Sequence, residues 1–140
     1  MTPFNSTPVI WIAFSNTAEA KSLAERIDHF EDATVLDVEA IDPAALMKDV
    51  GQHQTGWLLV DEVCFNDEGL QELARNAGLK HEFFRCMVIG TQSGQKWPDE
   101  TIYLESDTLS TTIIDRLRNE SHVLRIASSR MRHVRRLQNR

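Results

Sequence analysis

The sequence has little of what staples, anchors or exports a small protein. Its two cysteines, Cys64 and Cys86, stand at unrelated spacing in apolar settings, which argues against a disulfide framework or a zinc site and reads as reduced core thiols. Long apolar runs are missing too. Val9 to Phe14 and Trp57 to Val60 fall far short of the roughly 20 residues that span a bilayer. The opening MTPFNSTPVIW shows no positive leader followed by an apolar stretch and a small-residue cleavage site, so a cytoplasmic protein without a membrane role is expected. His29, His53, His81 and His133 are scattered among polar neighbours and make no ligand spacing; no metal or other cofactor is expected. Neither an internal repeat nor a low-complexity segment is found. What remains is one hydrophobic core, which 140 residues are enough to build.

Charge is plentiful but unevenly placed. Residues 1–114 hold 7 Lys/Arg against 19 Asp/Glu, or −12, while residues 115–140 hold 8 against 2, or +6, which together give the net −6. An acidic body therefore carries a basic tail. Such a tail suits pairing with acidic surface, a link to another module, or a nucleic-acid arm.

The apolar pattern gives the elements. Val9 to Phe14 reads as a strand buried on both faces. Asn16, three residues before Glu19, opens a helix with Ala20, Leu23, Ala24 and Ile27 on one face. Ala33 to Ala40 alternates as a second strand. Asp42-Pro43 caps a helix expected to end at Gly51. Trp57 to Val60 form a third strand with Asp61 and Glu62 at its carboxyl end, and Leu70, Leu73, Ala74 and Ala77 mark a helix expected to stop at Gly78. Cys86 to Ile89 and Ile102 to Leu104 are the fourth and fifth strands. The stretch TQSGQKWPDE between them, with Gly94 and Pro98, is too short and irregular for a full crossover helix. It predicts either a tight crossover or a fifth strand paired differently. From Thr108 neither Gly nor Pro occurs, which allows one helix of up to about 30 residues. The order predicts a doubly wound, mostly parallel five-stranded α/β sheet with a reduced fourth helix and an extended last one, whose chemistry would collect at the carboxyl ends of the strands.

The stretch LLVDEVCFNDEGLQEL, Leu58 to Leu73, resembles the phosphoacceptor region of bacterial response-regulator receivers, with Asp61 on the phosphoacceptor and Gly69 eight residues on. YLESDTLSTTIIDRL, Tyr103 to Leu117, looks like that family's fifth strand and last helix. Tyr103 falls on the switch aromatic, and Ile113, Ile114 and Leu117 on the apolar stripe. The likeness spans most of residues 9–120. It implies a receiver or flavodoxin-like fold in the regulatory portion of a bacterial signalling or transcription regulator, two-component proteins among them.

The departures bear on function. Active receivers place two acids after the first strand to hold Mg²⁺, because phosphoryl transfer to a carboxylate needs a cation for the gathered negative charge. Here Ala13, Phe14, Ser15 and Asn16 stand there. Ser106 replaces the lysine after the fifth strand and Asp107 the proline after it. The hydroxyl at the end of the fourth strand falls on Thr91, although the register also allows Gly90. Glu62 is not expected to stand in for the missing acids, because neighbouring residues on a strand point to opposite faces. The expectation is a pseudo-receiver: not an enzyme, and acting through protein contacts. The alternatives are a phosphoacceptor at Asp61 and a nucleic-acid adaptor using the arginines. The tail lacks interleaved aromatics, and the acidic body would repel a polyanion.

Leu117, Leu124 and Met131 recur every seven residues, with Ala127 and Val134 between them, forming a short heptad seam among arginines. This divides the chain into a receiver-like domain, 1–120, and an Arg-rich extension, 121–140, that serves as linker or dimerisation helix toward a partner or output domain. The competing reading is a solvated helix that packs only to about Leu124. SHVLR, Ser121 to Arg125, looks superficially like the phosphorylated box of histidine kinases. It lacks the acid and proline of that box, Val123 and Ala127 standing in their places. Trp97 is either an exposed contact residue or a lid folded onto the core.

Overall fold

The computed structural model describes residues 9–28, 32–36, 42–52, 55–81, 83–90, 97–98, 100–105 and 110–138. Their order is β1 (Val9–Ala13), α1 (Thr17–Asp28), β2 (Asp32–Val35), α2 (Pro43–Gly51), β3 (Gly56–Asp61), a 3-10 turn (Cys64–Asn66), α3 (Glu68–Lys80), β4 (Phe84–Ile89), β5 (Ile102–Leu104) and α4 (Ser110–Gln138). The five strands form one sheet in the order β2-β1-β3-β4-β5, and every pairing is parallel. This is the doubly wound, flavodoxin-like order predicted, with its switch point between β1 and β3.

Alternate residues of each strand feed two apolar layers. Trp11, Leu58, Val60 and Cys86 meet α2 and α3 on one face. Ile10, Ile12, Trp57, Leu59 and Met87 meet α1 and α4 on the other. Caps start the helices where the sequence puts them. Asn16 Oδ1 accepts from Ala18 and Glu19 N–H, 3.0 and 3.2 Å; Asp42 Oδ1 from Ala44 and Ala45; Asp67 Oδ1 from Leu70 at 3.0 Å. Each satisfies donors that a helix N-terminus leaves unpaired.

Several expectations change. β2 is described as Asp32–Val35, paired with β1 from Val9↔Asp32 to Ile12↔Val35; Asp37 to Ala40, expected in the same strand, lie outside the described residues. α3 runs through Gly78 to Lys80 and is closed by His81 N–H on Ala77 O at 2.8 Å. Gly78 is not in the left-handed conformation that would end a helix, Gly90 alone having positive φ among the described residues. β4 begins at Phe84, two residues early, because Gly56 of β3 supplies it a partner. β5 lies parallel to β4 without a described helix between them. Trp97, 3 % exposed, folds into the layer that holds Trp11 and Phe84, so it is the lid and not the contact residue.

α4 is the longest element. Ile113, Leu117 and Ser121 are buried at four-residue spacing, and Ile114 and Leu124 pack beside them. Inside that face the Trp57 indole N–H donates to Ser121 Oγ at 2.9 Å. Ser121, the first residue of the Arg-rich extension, is thus tied to the sheet within one continuous helix. At 29 residues the helix is about 43 Å long, while strands of five or six residues span roughly 17–20 Å. It must overshoot the sheet.

Candidate functional site

At the carboxyl ends of β1 and β3, where ligands gather in this architecture, Asp61 meets the residues that follow β1. Parallel pairing sets Ala13 beside Val60, which brings the next residues of both chains together. Asp61 Oδ2 accepts from Ser15 N–H at 2.8 Å and from Ser15 Oγ–H at 2.5 Å. Its Oδ1 accepts from Cys64 N–H at 3.0 Å, closing the turn after β3. Both oxygens therefore have internal donors.

The electrostatics follow from this geometry. Partial burial pushes the Asp61 pKa up, but the Ser15 hydroxyl, the Cys64 N–H and the Ser15 N–H outweigh it and hold the carboxyl below its ordinary value of 3.8. The neighbouring Cys64 thiol moves the other way. Burial first, then the Asp61 carboxylate, push it up to about 12. Burial likewise lifts Cys86 to about 12. Both are free thiols, and neither supplies the thiolate that cysteine chemistry uses.

Because the folded pKa of Asp61 lies below that of the unfolded chain, its contribution to stability is complete above about pH 4 and disappears as pH falls through the folded value. Asp61→Asn should accordingly cost about 1 kcal/mol at neutral pH, a charge-assisted hydrogen bond discounted for solvent screening. The gap between variant and parent should close below pH 3.8. Urea melts of the two proteins from pH 7 to pH 2.5 measure it, and a gap independent of pH would contradict the assignment.

A cavity of about 470 Å³ lies beside Asp61, with Phe14, Glu19, Arg26, Glu62, Ile89 and Gly90 among its walls. Glu62 shares it because the strand ends at Asp61 and a turn follows, so alternation does not separate the two carboxylates as expected. The magnesium ion of active receivers still does not fit. Ser15 spends its hydroxyl and N–H on Asp61, and Asn16 spends its side-chain oxygen on the cap of α1. Among the described residues no three His, Cys, Asp or Glu converge as a metal site, and a hard divalent cation needs several anionic or carbonyl oxygens.

The other predicted residues are only partly brought to this site. Tyr103, half-buried on β5, stands level with Val88 and packs on the layer of Trp11 and Phe84. Thr91 and Ser106 lie outside the described residues. Gly90 follows β4 directly and, at φ 102°, donates its N–H to Leu104 O at 2.8 Å. In the helical seam, Leu117 is 2 % exposed and belongs to the core, and Leu124 packs partly against it. Ala127 is half-buried, and Met131 and Val134 lie where the description is of helix backbone. Sequence reasoning missed the partnership of Ser15 and Cys64 with Asp61 and of Ser121 with Trp57. The three-residue spacing of Asp61 and Cys64, within reach of a local side chain-to-backbone hydrogen bond, was the one local signal available.

No protein-family model matches the chain, and no curated protein matches it. Solved structures do. A pilus assembly protein, CpaE, from Burkholderia thailandensis is 12% identical at a TM-score of 0.51, over 83% of this chain and 99% of its own. A pilus assembly-related protein from Burkholderia pseudomallei is 11% identical at 0.57, over 87% and 95%. A diflavin flavoprotein A3 from Nostoc sp. is 15% identical at 0.50, over 94% and 99%. Likeness at this identity establishes the receiver-like, flavodoxin-like fold, which hosts many unrelated functions.

Proposed function

We propose that this chain is a pseudo-receiver: a non-enzymatic regulatory domain of a bacterial signal-transduction or transcription regulator, independent of phosphorylation and acting through protein contacts. The observation that carries this reading is the engagement of both Asp61 oxygens by Ser15 and Cys64. A phosphoryl group arriving there would have to displace those donors, and it would find neither the paired acids that hold magnesium nor, with Ser106 in its place, the lysine that meets the phosphoryl oxygens. The electrostatic stabilisation on which such transfer depends is gone. Signalling is then left to a change of packing that a partner biases, with α4 as the element that carries it outward. Two similar structures named for pilus assembly accord with an assembly role. The absence of a helix long and apolar enough to cross a membrane among the described residues accords with a cytoplasmic one.

Incubation with acetyl phosphate and Mg²⁺, and separately with beryllofluoride and Mg²⁺, tests the reading. Intact mass should not change, and the amide spectrum around Ser15, Asp61 and Cys64 should not respond to beryllofluoride. A stable adduct that Asp61→Asn abolishes would replace the pseudo-receiver with a phosphoacceptor.

A further inference from the structure

We propose that the groove at the amino-terminal end of the sheet, between the last turns of α3 and the start of β4, receives an acidic, leucine- or phenylalanine-bearing segment of a partner protein. The assignment rests on the pseudo-receiver reading only in taking the chain to work through protein contacts. Arg75, Gly78 and Leu79 of α3 line the groove from one side, and Phe83, Phe84 and Arg85 from the other, around about 570 Å³. That is an ordinary size for a binding pocket.

Two residues of α3 are better suited to an occupant than to the helix itself. Glycine inside a helix lowers its stability relative to alanine, yet Gly78 has no positive φ to justify it and a Cβ there would meet nothing within 4 Å. Its bare Cα leaves room for another backbone to come close. Leu79 departs from the buried stripe of Leu70, Leu73, Ala74 and Ala77 and is 85% exposed. Only an occupant that extends past the cavity would cover it, as a protein segment does and a small carboxylate does not.

Charge sets the kind of segment. Residues 75–96 hold four Lys/Arg against one acid, whereas residues 1–114 together carry −12. Arg75 and Arg85 bring this basic stretch to the groove, where it would steer an acidic segment, while the rest of the body repels a nucleic acid. Arg85 already holds a carboxylate. Its Nε lies 3.2 Å from Glu100 Oε2, on a side chain 68% exposed. So open an ion pair contributes little, and an incoming carboxylate exchanges with Glu100 on a guanidinium whose planar fork suits it.

The full chain, without phosphodonor, is titrated by fluorescence anisotropy into labelled hexapeptides that place two Glu and two Leu or Phe in every order among Ala. At least one should bind saturably, with amide shifts centred on residues 75–79 and 83–86, and its counterpart with Gln for Glu should bind about tenfold more weakly. Leu79→Ala, at an exposed side chain, should keep the thermal midpoint and weaken binding about tenfold. Gly78→Ala should raise the midpoint by about 2–4 °C and still weaken binding, so loss of the fold cannot explain the effect. Binding by no member, equal binding of the Gln peptide, or binding that both variants leave intact would overturn the proposal. So would saturable uptake of dodecanoate with no peptide bound, which would make the groove a small-molecule pocket. The groove lies at the opposite end of the sheet from Asp61, and Asp61→Asn should bind as the parent does, so a failure here is distinguishable from a failure of the pseudo-receiver assignment.

Discussion

Trp57→Ala should lower the stability of the folded chain by about 3–5 kcal/mol, the usual cost of removing a large aromatic from a packed core. Trp57 sits on the central strand, 1% exposed, in the layer it shares with Ile113 and Leu117 of α4. It also ties the sheet to α4 by a hydrogen bond, its indole N–H to Ser121 Oγ at 2.9 Å. The alanine variant therefore loses packing and the tie together. Ser121→Ala separates them, because it leaves the indole in place with a buried donor and no acceptor, at a cost of about 1–3 kcal/mol. Trp57→Phe removes the donor and most of the need for an acceptor. In a double-mutant cycle measured by urea denaturation, Ser121→Ala should then cost far less in the Trp57→Phe background than in the parent. Equal costs in both would show that the hydrogen bond contributes nothing.

Gly56→Ala should cost about 1–3 kcal/mol through overpacking, an unusual sensitivity to a single methyl group. A Cβ at position 56 would come within 2.8 Å of Phe84 Cδ2 and 3.2 Å of Val9 Cγ1. Neither neighbour can give way cheaply. Both are 3% exposed, and the Phe84 ring is already tilted against Trp11 with centroids 5.5 Å apart. Glycine is thus needed for room at the start of β3, where β1 and β4 close on it from both sides. Thermal unfolding of Gly56→Ala beside Gly51→Ala provides the comparison, since a Cβ at position 51 meets nothing within 4 Å. If the two variants melt alike, the crowding at position 56 is not limiting.

The parts of this fold legible in the sequence are those fixed by local chemistry. Asn16, Asp42 and Asp67 cap their helices because a short polar side chain before an apolar stripe has few other uses. The strands β1, β3 and β4 announce themselves as apolar runs because both their faces are buried. The misread ends are those that a distant partner decides. β4 is lengthened by Gly56, and α3 passes Gly78 because nothing there requires a left-handed residue. Asp61 was visible as a strand-end carboxylate beside a serine where receivers have acids. That the same serine occupies the carboxylate was not, since the contact joins positions 46 apart in sequence and exists only once β1 lies against β3. The Trp57–Ser121 bond, 64 residues apart, is hidden for the same reason. The seam in the last helix was legible as a repeat. Which of its members the body would consume depended on where the sheet ends, and periodicity does not contain that length.

The short outer strand has a dynamic consequence. β5 contributes three residues, all half-buried, and pairs on one side only, with Met87, Val88 and Ile89. Ile102 and Leu104 rest on the same layer as Ile113 and Leu117, so detaching that margin also loosens the root of α4, while β1, β3 and β4 keep their ladders. Opening of β5 with the root of α4 should therefore cost less free energy than global unfolding. A binding event on the last helix would be felt first in amide protection along residues 102–104.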